Sequence, residues 1–164
     1  MSATAFALAA VLLALPAGPG LTQHAHDAGA PPARLAPAAG EAAAAVDAFH
    51  AALRTGDREA ALALLAEDAL IFESGGAERS RAEYASHHLE SDAAFAAATE
   101  AALTRRSGDA SGDVAWITSE GRTTGAFNGR PVDRLTAETM LLRRHPDGWR
   151  IHHIHWSSRA APAA

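Results

Sequence analysis

The chain of 164 residues contains no cysteine and no lysine, and only 5% of its residues are aromatic. Without cysteine it has neither disulfides nor thiolate metal sites. All 14 basic residues are arginine, a bias that we attribute to a GC-rich coding sequence before any function. With a net charge of −5, the chain does not have the excess of basic residues that is typical of a nucleic-acid-binding protein. The core should therefore be modest, with its few large side chains at anchoring positions.

The first forty residues differ in composition from the rest. Ala5–Leu15 is an apolar run of the length of a signal-peptide core, too short to span a bilayer comfortably. We predict a signal peptide over residues 1–20, export to the periplasm or the exterior, and no stable membrane span. Residues 21–40, rich in Pro, Ala and Gly, are predicted to be a disordered linker. A single folded domain is expected over residues 41–159, with a tail at 160–164.

Hydrophobic periodicity, capping residues and turn signals predict three helices, a strand between the second and the third, and a meander of strands after them. The helices are residues 41–55, a shorter helix capped by Asp57, and a third that begins near Arg81. The strands are residues 69–73, about 97–107, 113–125, 131–145 and 149–158. Turn residues between the last four strands indicate an antiparallel meander.

The third helix carries the first set of candidate functional residues. Ser80 and Glu83 form a capping box, which predicts where the helix begins. His88 and Asp92 lie four residues apart and therefore on one helical face. A histidine and a carboxylate on an inward face could share a hydrogen bond, bind a metal or move a proton.

The last strand carries the second set. Strict alternation places Trp149, Ile151, His153 and His155 on one face and Ile154 and Trp156 on the other. Histidines two residues apart on one strand face have a spacing that two-histidine metal sites often use. On the opposite face, Ile154 and Trp156 would be exposed in a monomer, so the same alternation predicts a homodimer that covers them.

Together, these features resemble the NTF2-like superfamily, in its SnoaL-like and DUF4440-type branch. The similarity covers about residues 41–159, and its most specific parts are Phe49–Ser74 and Gly148–Ser158. The resemblance implies an α+β fold, the NTF2-like cone, in which three N-terminal helices pack on a strongly curved antiparallel sheet. It also implies a pocket inside the cone and frequent dimerisation through the sheet.

The resemblance further implies a small-molecule pocket on the concave face of the terminal strand. The family's isomerases use an acid–base carboxylate with a tyrosine–acid oxyanion hole, and we do not match that set onto this sequence, in which Tyr84 is the only tyrosine. Fold alone therefore leaves the activity open. The residues expected to line the pocket are Tyr84, His87, Trp116, Glu138 and Trp149.

Combining the two candidate sets, we predict that His88, Asp92, His153 and His155 converge in one pocket. The set suits a divalent metal such as Zn or Cu, or a metal-free acid–base cluster in which Asp92 orients a histidine. Three functions stay open: a small-molecule-binding protein with lyase, cyclase or isomerase chemistry, an exported metal-binding protein, and a dimeric assembly or sensing module.

Overall fold

The computed structural model describes residues 33–162, which form helices packed on one six-stranded sheet. The predicted signal peptide and most of the predicted linker lie outside these residues. No helix in the described range is long and apolar enough to cross a membrane. The helices are α1 (Gly40–Thr55), α2 (Arg58–Ala63), α3 (Arg81–His87) and α4 (Leu89–Ala98). The strands are β1 (Leu65–Glu73), β2 (Gly76–Glu78), β3 (Thr99–Ser111), β4 (Val114–Phe127), β5 (Arg130–His145) and β6 (Gly148–Ala160).

The helices begin and end at the residues that capping chemistry selects. Gly56 ends α1 in the left-handed conformation at φ 72°, which costs glycine little. The Asp57 carboxylate accepts the Ala60 N–H at 3.0 Å and starts α2. The Ser80 hydroxyl accepts the Glu83 N–H at 3.0 Å and starts α3. The predicted end of the first helix and the predicted starts of the next two are therefore confirmed.

The third helix is interrupted, which the sequence pattern did not indicate. His88 ends α3 and precedes α4, with φ −109° and ψ −29°. The backbone bonds from His88 N to Tyr84 O and from Asp92 N to His88 O nevertheless continue through the break. Tyr84, His88 and Asp92 consequently still follow one another along one side of the helical segment.

The sheet has the order β2-β1-β6-β5-β4-β3, and it is curved and open. All neighbouring strands are antiparallel except β1 and β6, which pair in parallel. The helices cover one face, where the apolar core lies. This architecture confirms the predicted NTF2-like cone. The prediction was incomplete in two details, because β1 begins at Leu65 rather than Ala69 and the short strand β2 follows it.

A β-bulge in β6 reverses the predicted assignment of faces. Leu142 pairs with Ile151 while Leu141 pairs with His153, so that His152 is an extra residue. After the bulge, Ile154 and Trp156 join Trp149 and Ile151 on the helix-covered face. Ile154 is fully buried in the core. The prediction that Ile154 and Trp156 lie on the outer face was wrong.

The ordered domain begins before Glu41, in part of the segment predicted to be a disordered linker. Backbone hydrogen bonds join Ala36 N to Gly108 O at 2.9 Å and Gly108 N to Arg34 O at 3.0 Å. A Cβ at Gly108 would lie 2.7 Å from the Trp116 carbonyl oxygen, so this close approach requires glycine. For residues 33–40 the disorder prediction was therefore wrong.

Replacing Ile154 by Ala should destabilise the domain by about 2–5 kcal/mol, because it removes a fully buried core side chain. The adjacent change His155→Ala should cost less than about 0.5 kcal/mol, because that side chain is exposed. Urea unfolding of the two variants checks the bulge directly. Equal costs, or a larger cost for His155→Ala, would contradict the face assignment.

Candidate functional site

A pocket of about 230 Å³ opens between the β1–β2 hairpin, the α3–α4 segment and β6. Ile71 and Trp156 supply apolar walls, and Ser74 and Gly76 come from the hairpin turn. Its remaining lining is ionisable: Glu73, Glu78, Tyr84, His88 and Asp92. Three carboxyl groups therefore share one small cavity with a phenol and an imidazole.

Tyr84 and Asp92 form the inner polar pair of the pocket. The Tyr84 hydroxyl donates to Asp92 Oδ2 at 2.9 Å, and the tyrosine is fully buried. Burial raises the pKa of Asp92, although the bond from Tyr84 and the proximity of His88 oppose that rise. Burial also raises the pKa of Tyr84, and the Asp92 charge adds to the effect. Tyr84 is therefore a neutral donor, and Asp92 holds a proton more readily than an ordinary aspartate.

Glu73 is the carboxylate with the fewest constraints. Within residues 33–162 no side chain donates a hydrogen bond to it. Burial raises the pKa of Glu73, and the negative charge of Asp92 raises it further. A carboxylate with a raised pKa and an unoccupied acceptor is suited to take up and return a proton.

His88 and Glu78 form a third feature at the pocket mouth. His88 Nδ1 contacts Glu78 Oε1. The Glu78 side chain is only 8% exposed, whereas that of His88 is 59% exposed. The buried carboxylate thus orients the partly exposed imidazole at the pocket mouth.

Trp156 separates this pocket from a second polar cluster on the covered face. Glu138, Trp156 and Glu73 are direct cross-strand neighbours. Trp156 Nε1 donates to Glu138 Oε2 at 2.8 Å, while its ring stacks on Phe49 at a centroid distance of 6.4 Å. The indole is therefore held in place on the side away from the pocket.

Glu138 is the second of the two glutamates that flank Trp156. Burial acts to raise the pKa of Glu138, but the hydrogen bond and charge of His50, whose Nε2 lies 2.8 Å from Oε2, outweigh burial and lower the pKa. Trp156 and Arg106 act in the same direction. Two glutamates on either side of one indole therefore have pKa values displaced in opposite directions, an arrangement typical of acid–base sites.

The predicted convergence of four residues was wrong for the two histidines of β6. His88 and Asp92 line the pocket, whereas His153 and His155 lie on the outer face of the sheet. His153 Nδ1 contacts the Leu70 carbonyl oxygen at 3.0 Å, and its ring packs against Phe72. The bulge at His152 is the physical reason. Among the described residues, no group of three or more His, Asp or Glu side chains is arranged to hold a metal.

The five residues expected to line the pocket are also dispersed. Only Tyr84 lines it. His87 is exposed, and Trp116 lies on the outer face with 43% of its surface exposed. Trp149 is buried at the start of β6, where its ring lies under Arg144 and its Nε1 donates to Glu41. Glu138 lies on the covered face, beyond Trp156.

Glu73, Glu78 and Trp156 were not among the residues that the sequence predicted to line the pocket. One signal in β6 could have located Trp156. Its large apolar residues occur at positions 149, 151, 154 and 156, and the spacing of three between the isoleucines is incompatible with unbroken alternation. Such a spacing indicates a bulge. No local signal marks Glu78, because its role depends on His88 across the pocket.

The SnoaL-like domain family matches residues 42–162. This chain belongs to that family. No curated protein shows significant similarity to it. The SnoaL-like domain resembles the crystal structure of a candidate ketosteroid isomerase from Shewanella frigidimarina, with 36% identity, a TM-score of 0.69, and coverage of 71% of this chain and 94% of the other.

Two further solved structures share the fold of this SnoaL-like domain. One is a candidate dehydratase of the NTF2-like family from Streptomyces avermitilis, with 26% identity, a TM-score of 0.62, and coverage of 74% of this chain and 96% of the other. The second is a candidate association domain of calcium/calmodulin-dependent protein kinase II from Xanthomonas campestris. It has 23% identity, a TM-score of 0.63, and coverage of 82% of this chain and 97% of the other.

Glu73→Gln and Glu138→Gln should change the stability of the SnoaL-like domain in opposite directions. The raised pKa of Glu73 means that its charge destabilises the fold once the pH exceeds the ordinary glutamate pKa. At neutral pH, Glu73→Gln should raise the melting temperature by about 1–3 °C, a modest effect because the side chain is partly solvated.

For Glu138, whose pKa is lowered, the effect of the charge on stability has the opposite sign. Its charge stabilises the fold above the ordinary glutamate pKa, and this contribution is lost as the pH falls through the lowered value. Glu138→Gln should therefore cost about 1–2 kcal/mol at neutral pH. Melting curves recorded from neutral to acidic pH should show that the difference in melting temperature between each variant and the wild-type protein becomes smaller. Equal signs for the two variants at neutral pH would contradict the assignment.

Proposed function

We propose that this SnoaL-like domain binds a small organic carbonyl compound in the pocket and moves a proton within it, as an isomerase or a lyase does. The proposal rests on the position of Glu73 and Asp92 in the lining of one pocket, together with the raised pKa of both carboxyl groups. A proton-abstracting base and a neutral carboxylic-acid donor are the two groups that enolisation of a ketone requires.

The roles follow from the partners of each group. Glu73 has no side-chain donor among the described residues, so its carboxylate takes the proton from the carbon next to the carbonyl. The electron pair moves onto the carbonyl oxygen, which accepts a hydrogen bond from protonated Asp92. Tyr84 donates to the other side of that carboxyl group and holds its orientation. Return of the proton from Glu73 to the γ-carbon completes an isomerisation and restores the base.

The pocket restricts the substrate in size and charge. Its volume of about 230 Å³ lies below the roughly 300–1,000 Å³ of sites for drug-sized ligands, so the ligand is smaller than a steroid. Three carboxyl groups also disfavour an anionic ligand. The proposed substrates are therefore small, uncharged carbonyl compounds, whatever the name of the similar isomerase suggests.

A suitable probe is 3-cyclohexen-1-one, whose conversion into the conjugated 2-cyclohexen-1-one is followed by ultraviolet absorbance. Wild-type protein should accelerate it, and Glu73→Gln should lower kcat/KM by about 10²–10⁴-fold because it removes the base. Glu120→Gln, an exposed glutamate outside the pocket lining, is the matched control and should leave the rate unchanged.

Deuterium exchange at the α-carbon of cyclohexanone in D₂O provides a second readout, which does not require a particular double-bond position. The proposal fails if wild-type protein accelerates neither reaction, or if Glu73→Gln retains the wild-type rates. Because Glu73→Gln is expected to stabilise the fold, a loss of rate in this variant would not arise from unfolding.

We also propose that the domain is a homodimer through its outer sheet face, with a different patch from the one that alternation indicated. Leu70, Phe72, Trp116 and Leu141 are each about two-fifths exposed. Trp116, Leu141, His153 and Leu70 form one cross-strand row, and Phe72 lies in the next. An exposed aromatic and aliphatic patch of this kind marks an association surface. Self-association also fits the likeness to the kinase association domain.

Sedimentation velocity should therefore detect a dimer, and Trp116→Ala should weaken it by about 2 kcal/mol or more, some thirtyfold in Kd. Leu103→Ala is the control, since that residue is also exposed but lies elsewhere, on β3. A wild-type protein that remains monomeric at tens of micromolar would contradict the proposal, as would equal effects of the two variants.

A further inference from the structure

Isomerisation leaves one pair of pocket residues without a role. The proposed steps use Glu73, Asp92 and Tyr84, whereas His88 and Glu78 line the same cavity and take no part in them. His88 Nδ1 contacts the buried carboxylate of Glu78. Because a carboxylate only accepts hydrogen bonds, this contact places a hydrogen on Nδ1. Nε2 is therefore the ring nitrogen that remains for a ligand.

His88 lies close to both carboxyl groups that enolisation uses. The positive charge of a protonated His88 lowers the pKa of Glu73 and that of Asp92, in each case against the effect of burial. More than half of the His88 side chain is exposed at the pocket mouth, whereas Glu78 is buried. A group that leaves a bound substrate must pass this mouth, and His88 is the titratable side chain that it meets there.

We propose that the pocket also takes β-hydroxy carbonyl compounds and eliminates water from them, with protonated His88 donating from Nε2 to the leaving hydroxyl group. This inference rests on the proposed enolisation and adds a third role to it. Hydroxide is a poor leaving group unless it is protonated, and imidazole is the side chain that enzymes use most often for such proton transfer. Glu78 is then a positioning residue, because it contacts Nδ1 and fixes the orientation of the ring.

The elimination needs no group other than those in the pocket and solvent. Glu73 takes the α-proton, and the electron pair of that C–H bond moves toward the carbonyl oxygen, which accepts from Asp92. The pair then forms the double bond between the α- and β-carbons while the bond from the β-carbon to oxygen breaks. The departing oxygen keeps the electrons of that bond, takes the Nε2 proton of His88 and leaves as water. Glu73 returns its proton to solvent and His88 regains one, so no oxidant or reductant is consumed.

Two related ketones separate the shared first step from the new second one. 3-Hydroxycyclohexanone loses water and 3-cyclohexen-1-one isomerises, and both give 2-cyclohexen-1-one, which is followed by ultraviolet absorbance. Wild-type protein should accelerate both reactions. His88→Gln should lower kcat/KM for dehydration by about 10²–10⁴-fold because it removes the acid, and it should change the isomerisation far less. His87→Gln, an exposed neighbour outside the pocket lining, is the matched control and should change neither rate.

A leaving group that needs no proton distinguishes an acid from a residue that only supports the pocket. 3-Chlorocyclohexanone releases chloride and gives the same enone, so His88→Gln should catalyse this elimination at close to the wild-type rate, measured above the spontaneous reaction. His88→Ala is the second variant. Imidazole added to the solution should restore part of its dehydration rate, because the side chain that it replaces is exposed at the mouth.

The outcomes separate this inference from the proposed function. Catalysis of isomerisation or deuterium exchange without dehydration by wild-type protein would overturn the dehydration and leave enolisation in place. Equal losses of dehydration, isomerisation and chloride elimination in His88→Gln would also overturn it, since they indicate a supporting role for His88. If wild-type protein accelerates none of these reactions, both proposals fail. Melting curves verify that each variant is folded.

Discussion

The extra residue in the last strand is the constraint from which much of the molecule follows. Strict alternation would require the strand to turn either its first or its second pair of large apolar residues toward solvent. With His152 inserted, Trp149 and Ile151 before the bulge and Ile154 and Trp156 after it all face the helices. The free energy of burying Ile154 and Trp156 more than offsets the local loss of ladder hydrogen bonds.

Trp156 links the core to the chemistry of the pocket. Its ring lies between Phe49 of the first helix and the pocket wall, and its N–H is taken by Glu138. One side chain thus closes the cavity, contributes to the core and keeps two glutamates apart. Glu138 keeps its charge because His50 and Trp156 donate to it, whereas no side chain in the described part of the chain does so for Glu73. The difference in donors separates the two pKa values.

The same bulge has consequences on the outer face. It moves His153 and His155 there, beside Leu70 and Phe72, and it frees His152 to meet His145. The histidines of this strand therefore lie in several different environments and do not form one site. The polar chemistry of the pocket comes from the first strand, its hairpin and the third and fourth helices, which lie much earlier in the chain.

Local sequence signals were sufficient for most of the elements and for the family. Capping residues located the starts of two helices and the end of the first, turn residues located the meander, and the segments Phe49–Ser74 and Gly148–Ser158 indicated the cone. His88, Asp92 and Tyr84 were also found in the pocket, because helical spacing survives the break at His88. These features depend on neighbours within a few residues, which a sequence displays directly.

Only the tertiary structure decided which residues of the last strand lie in the pocket with Tyr84, His88 and Asp92. The side-chain period of a strand is two, so one inserted residue exchanges every face beyond it, and its position depends on pairing with β1 and β5. Glu73, Glu78 and Trp156 reach the pocket from separate elements, and their protonation depends on burial and on cross-strand partners. Sequence determined the scaffold and half of the site, whereas long-range strand register determined the rest.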